Sequence, residues 1–147
     1  AFCLALRDQG CIDWVEGFLR TLHLDSRTIA ACQEVSKILE EPFPESVVMW
    51  KQVLRRWGTD AVGRAAACYD AFTGSTCSKE LKAVLKSGEC FSMHNLAVSG
   101  EDLMKQGLKG KDIGTALDEL LKAVIEEKCA NDKELLMSYY HKNVKSV

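Results

Sequence analysis

The strongest constraint on this chain is a helical spacing of apolar residues that runs almost throughout and is cut only by short punctuation. Ile29, Cys32, Val35, Ile38 and Leu39 recur at intervals that trace one stripe of a helix, and so do Ile113, Ala116, Leu117, Leu120, Leu121, Val124 and Ile125. That period leaves no room for strands. Both prolines, Pro42 and Pro44, fall in one break, and aromatic residues make up only 7%, so few positions interrupt helices or favour strands. An all-α fold is predicted, a compact bundle of about seven to eight short helices.

Punctuation sets the expected ends. Trp14, Val15, Phe18, Leu19 and Leu22 form one face of a helix after Gly10, and Asp25 or Ser26 caps the next, which stops at Pro42-Phe43-Pro44. A third helix is expected over 45–57, ending at Gly58. Thr59 then caps a fourth that carries Val62, Ala65, Ala66, Tyr69 and Phe72. Ser78 caps a fifth with Leu81, Val84 and Leu85 inward, closed by Gly88. Residues 89–98 read as a connector with one helical turn at 93–96. Ser99 and Asp102 form a capping box for a short helix over 101–106, and the strongest helix follows over 112–128. Asn131 and Glu134 give the start of the last helix. A boundary between two helical units is expected in that connector, dividing residues 1–91 from 92–147.

With 147 residues, 47% of them apolar, the chain has enough material for a folded core. Nineteen basic and 21 acidic residues give a net charge of −2, so bulk charge announces no nucleic-acid partner and any such site must be local. The seven cysteines contain no Cys-x-x-Cys pair and no Cys/His cluster at zinc spacing, which predicts reduced thiols in a cytoplasmic protein. No apolar run approaches the ~20 residues a membrane span needs. The apolar stretch Ala1-Phe2-Cys3-Leu4-Ala5-Leu6 has helical character without a cap or an initiator methionine, and predicts that the chain is part of something longer.

Catalytic signatures are missing. His23, His94 and His141 stand apart, and the acidic pairs Glu40-Glu41, Glu101-Asp102, Asp118-Glu119 and Glu126-Glu127 fall where helices show a solvated face. Neither a phosphate-cradling Gly-x-x-x-x-Gly-Lys-Ser nor a Gly-x-Gly-x-x-Gly is present. One local feature has a mechanism. Lys109-Gly110-Lys111 opens the strongest helix and Lys105 precedes it, so ammonium groups would converge with free backbone N–H groups at the positive end of a helix dipole, a setting suited to phosphate. The plainer alternative makes Gly107 and Gly110 turn residues and the lysines solvated. Arg55, Arg56 and Arg64 form a second basic group, for which helix-end electrostatics alone are sufficient reason.

The run Leu96-Ala97-Val98-Ser99-Gly100-Glu101-Asp102-Leu103-Met104, then Gly107-Leu108-Lys109-Gly110-Lys111-Asp112-Ile113-Gly114, then Asn131-Asp132-Lys133-Glu134-Leu135-Leu136, resembles the C-terminal region of bacterial class II CCA-adding enzymes, the tRNA nucleotidyltransferases. Leu24-Asp25-Ser26-Arg27-Thr28-Ile29 and Val53-Leu54-Arg55-Arg56-Trp57-Gly58 are similar to that family's body. Two departures stand out. Lys109 occupies a place where the family often has proline, and no Asp-x-Asp follows a Gly-Ser or Gly-Gly anywhere in the chain. Glu101-Asp102-Leu103-Met104-Lys105 imitates the neck's Glu-Asp-x-x-Arg, but it ends in Lys, which lacks the planar two-pronged contact of Arg.

The resemblance implies a body and tail that hold tRNA near its elbow through backbone contacts, while a head domain outside this sequence adds C, C and A with Mg²⁺, CTP and ATP. No cofactor is expected in these residues. The tRNA-phosphate contacts expected are Lys105, Lys109, Gly110 and Lys111, with Arg55, Arg56 and Arg64 in support. A reading from a different class, a helical protein-interaction or regulatory module with no RNA role, draws on the acidic balance. A helix-hairpin-helix DNA binder fits less well, since its hairpin needs Gly-apolar-Gly and this chain has Gly107-Leu108-Lys109-Gly110.

Overall fold

A computed structural model describes residues 12–144 of the chain, with side chains from residue 17 onward. The apolar start at Ala1 to Leu6, and the side chains of Trp14 and Val15, lie outside the described residues. Seven α-helices and no strand occur among the described residues, so the fold is all-α. The chain divides into two compact units between Ser87 and Gly88.

The first unit contains α1 (Ile12–Thr21), α2 (Ser26–Glu40), α3 (Val47–Thr73) and α4 (Cys77–Lys86). Leu19 and Ile29 bury the contact of α1 with α2, whereas Leu22, expected on the inner face, is exposed because α1 has already ended at Thr21. Asp25 caps α2, its carboxylate accepting from the Thr28 N–H at 3.0 Å and the Thr28 hydroxyl at 2.6 Å. Those bonds hold the Asp25 carboxyl below its usual value.

The third and fourth helices expected from sequence are one element, α3, broken at Gly58 with φ 77° and ψ 165°. Only glycine takes φ in this range without strain. Thr59 supplies no cap bond among the described residues. Trp50 and Leu54 before the break, and Ala61, Val62, Ala65 and Ala66 after it, are buried. Phe43, between the two prolines, stacks on Tyr69 at 4.2 Å and meets Trp50 edge-on at 5.7 Å, which ties that linker to both halves of α3. Leu85, expected inward, is exposed, and so is Phe72.

α4 is capped from outside itself. Asp70, in the last turn of α3, accepts from the N–H groups of Cys77 at 2.7 Å and Ser78 at 2.9 Å, and from the Ser75 hydroxyl at 2.6 Å. Ser78, expected as the cap, lies inside the helix, and Thr76 at the cap position makes no side-chain cap bond. Desolvation pushes the Asp70 carboxyl up, but the bonds from Ser75, Ser78 and Cys77 prevail and bring it down to about 2.

The second unit contains a 3₁₀ turn (Met93–Asn95), α5 (Gly100–Lys105), α6 (Lys111–Ile125), α7 (Lys133–Tyr139) and a closing π turn (Tyr140–Val144). Its core joins Leu96, Val98 and Leu103 to Leu120, Leu121 and Ile125 of α6 and to Leu136 and Tyr140. The capping box is present in full: the Asp102 N–H donates to Ser99 Oγ at 3.3 Å, and the Ser99 N–H donates to Asp102 Oδ2 at 3.1 Å. The other oxygen of Asp102 accepts from Lys133 Nζ at 2.7 Å, which ties α5 to α7 and, with the Ser99 bonds, keeps this carboxyl well below the usual range.

Asn131 has a different role from the one expected. Asp132 caps α7, accepting from Glu134 N and Leu135 N. The Asn131 amide instead accepts from Ala97 N at 2.8 Å and donates to Asn95 O at 2.7 Å, clasping a segment more than thirty residues upstream. α6 stops at Ile125 rather than 128. The Lys128 N–H reaches Ala123 O and the Glu127 N–H reaches Val124 O, with Glu127 at φ 59°, which is a Schellman turn carrying glutamate where glycine is usual.

Candidate functional site

The lysines of interest flank the turn between α5 and α6. α5 also ends in a Schellman turn: the Leu108 N–H reaches Leu103 O, the Gly107 N–H reaches Met104 O, and Gly107 has φ 92°. Leu108 packs on the core, which fixes the turn from beneath. Gly110, at φ 56° and ψ −123°, is the N-cap of α6 and has no side chain with which to close it. The first-turn N–H groups of the 15-residue α6 are therefore left to an outside acceptor, apart from a 3.3 Å bond of Asp112 N to Lys109 O.

Lys105, Lys109 and Lys111 are all exposed, and none makes an ion pair among the described residues. Lys105 ends α5, Lys109 and Lys111 stand on either side of the N-cap, and Asp112 is the one acidic residue in the first turn of α6. The balance favours an anion, with Asp112 as a partial counterweight.

Arg55, Arg56 and Arg64, unlike these lysines, are already engaged. Arg56 is bound to Glu41 at 2.6 Å and lies 5.2 Å from the Trp57 ring centre, Arg55 is half-buried and already engaged, and Arg64 lies beyond the break at Gly58, 3.5 Å from Glu34. These ion pairs are largely exposed, so each contributes only about 0–1 kcal/mol and can be exchanged for a phosphate.

Arg27 escapes the sequence reading. It lines a groove of ≈ 540 Å³ together with Arg64, Ala31, Cys32, Val35, Ala67 and Cys68. The spacing 27, 31, 35 on α2 and 64, 67, 68 on α3 is the signal that could have revealed it, because residues three and four apart share a helix face. No group of three or more His, Cys, Asp or Glu side chains able to hold a metal occurs among the described residues. No described helix is long and apolar enough to cross a membrane.

Neither a curated protein nor a solved structure gives a significant match to the chain. A sequence-family profile does, over residues 9–140, and so takes in both units, the capped α5, the lysine-flanked turn and α6. That profile describes domain 2 of tRNA nucleotidyltransferases, and the chain belongs to this family.

Proposed function

We propose that this chain is the tRNA-holding body and tail of a CCA-adding enzyme, acting in the cytoplasm, which grips the tRNA elbow through its backbone while a separate head domain adds nucleotides. Mg²⁺, CTP and ATP belong to that head in this reading. The observation that carries it, within a tRNA nucleotidyltransferase family, is the uncapped start of α6 flanked by Lys105, Lys109 and Lys111. A holding surface reads shape and phosphate positions, so N–H groups and ammonium groups suffice and base-specific contacts need not be many. Arg55, Arg56 and Arg64 supply further contacts by exchanging their present partners for phosphate.

Filter binding of a tRNA transcript across a salt series tests this. Each phosphate contact adds roughly 0.9 to the slope of log affinity against log salt. Lys109→Glu/Lys111→Glu is expected to weaken binding and to flatten that slope by about two. An unchanged slope removes the α6 site. A protein-interaction module is the second reading, favoured by the Arg27/Arg64 groove, and a gel shift comparing tRNA with an unrelated hairpin separates the two.

A further inference from the structure

The groove between α2 and the second half of α3 has no part in the α6 site. Val35 at its base is buried, Cys32 and Cys68 are half-buried, and Arg27 and Arg64 at its edge are exposed. Its ≈ 540 Å³ lies within the ~300–1,000 Å³ usual for binding clefts.

Two properties define what fits. Between the arginines the groove is lined by Ala31, Val35, Ala67 and two thiols, and its one hydroxyl, that of Thr28, already donates to Asp25 Oδ2 at 2.6 Å. A nucleobase inserted there would leave its edge N–H and C=O groups unpaired, whereas an apolar side chain loses nothing. The edge is cationic. Arg27 makes no ion pair among the described residues, and Arg64 has Glu34 at 3.5 Å with both side chains about half exposed. The Asp25 carboxylate, close in sequence to Arg27, is committed to Thr28. An RNA backbone would satisfy the arginines and leave the floor uncovered. A helix with apolar anchors at i, i+3, i+4 and i+7 and carboxylates beside them satisfies both, and the alanines allow its backbone to come close.

We propose that this groove docks an acidic amphipathic helix of a protein partner, with the apolar stripe over Val35 and Ala67 and the carboxylates on Arg27 and Arg64. The inference does not depend on the α6 site, and it gives to a carboxylate the Arg64 that the tRNA reading gives to phosphate. Its probes are a labelled synthetic helix with leucines on one face and glutamates elsewhere, the same helix with lysines for glutamates, and a tRNA transcript, each added to the full chain.

The glutamate helix is expected to bind saturably, to weaken with salt, and to slow alkylation of Cys68 by N-ethylmaleimide, while the lysine helix does none of these. Binding should fall by at least about tenfold in Arg27→Glu/Arg64→Glu and in Ala67→Trp. Ala67 is exposed, so tryptophan there fills the groove without entering the core, and a thermal melt like the parent's establishes that. Lys109→Glu/Lys111→Glu should leave peptide binding intact, which keeps this result distinct from that of the α6 site. The proposal is overturned if the glutamate helix does not saturate, if both helices bind alike, if Ala67→Trp binds as the parent does, or if tRNA protects Cys68 and the helix does not.

Discussion

Replacing Asp70 by alanine should destabilise the first unit out of proportion to one side chain near the surface. The carboxylate accepts from two backbone N–H groups of α4 and one hydroxyl, all between 2.6 and 2.9 Å. Loss of a helix cap costs about 0.5–2 kcal/mol, and a hydrogen bond to a charged group contributes ~1.5–3 kcal/mol. Water can reach the freed N–H groups, so the total stays near the cap figure, about 2 kcal/mol, or roughly 8–16 °C in Tm for a unit of this size. The effect must also depend on pH. Because the folded carboxyl is lowered to about 2, its contribution is complete above the unfolded value near 3.8 and is lost as pH falls towards 2. Trp14, Trp50 and Trp57 all belong to the first unit, so urea unfolding followed by tryptophan fluorescence reports on it alone. An unchanged midpoint at pH 7, or a deficit at pH 2 equal to that at pH 7, would refute the argument.

Three further outcomes concern the second unit. Asn131→Ala removes both bonds of the clasp and should cost about 1–2 kcal/mol, with faster amide exchange at Ala97 as the local signature. Glu127→Gly relieves a left-handed residue at the end of α6 and should stabilise by roughly 0.5–1 kcal/mol, read as a higher denaturation midpoint; a lower one would show that Glu127's other contacts outweigh the backbone. Lys133→Met takes away the first of the interactions that hold the Asp102 carboxyl low, so carboxyl NMR should find that group titrating at higher pH, and the acid limit of the unit should rise with it.

Helix periodicity and glycine punctuation made the all-α class legible, and the Ser99/Asp102 box could be read letter by letter because both partners are local. What escaped the reading was capping by residues that belong to another element, or that lie outside the usual residue types. Asp70 serves a helix that begins seven residues later, and serine at 78 was the nearer candidate. Asn131 looks like a cap from its sequence, but its amide is spent on Asn95 and Ala97, contacts that no local pattern encodes. Glu127 ends α6 in a conformation that sequence rules reserve for glycine. Lys105, Lys109 and Lys111 lie within seven residues and could be noticed as a group in sequence, whereas Arg27 and Arg64 share a groove only once α2 has packed on α3.

The break at Gly58 acts as a phase joint. In an unbroken helix every residue advances the side chain by about 100°, so one inserted or deleted residue turns the whole downstream face away from its partners. Here the count starts again after residue 58. Trp50 and Leu54 are inward by their own spacing of four, and Ala61, Ala65 and Ala66 by theirs, with one non-helical residue absorbing whatever rotation lies between. The bulky stripe and the small-residue stripe of α3 are therefore free to change length separately, and the half that carries Arg64 can keep its register when the half that carries Arg55 and Arg56 does not.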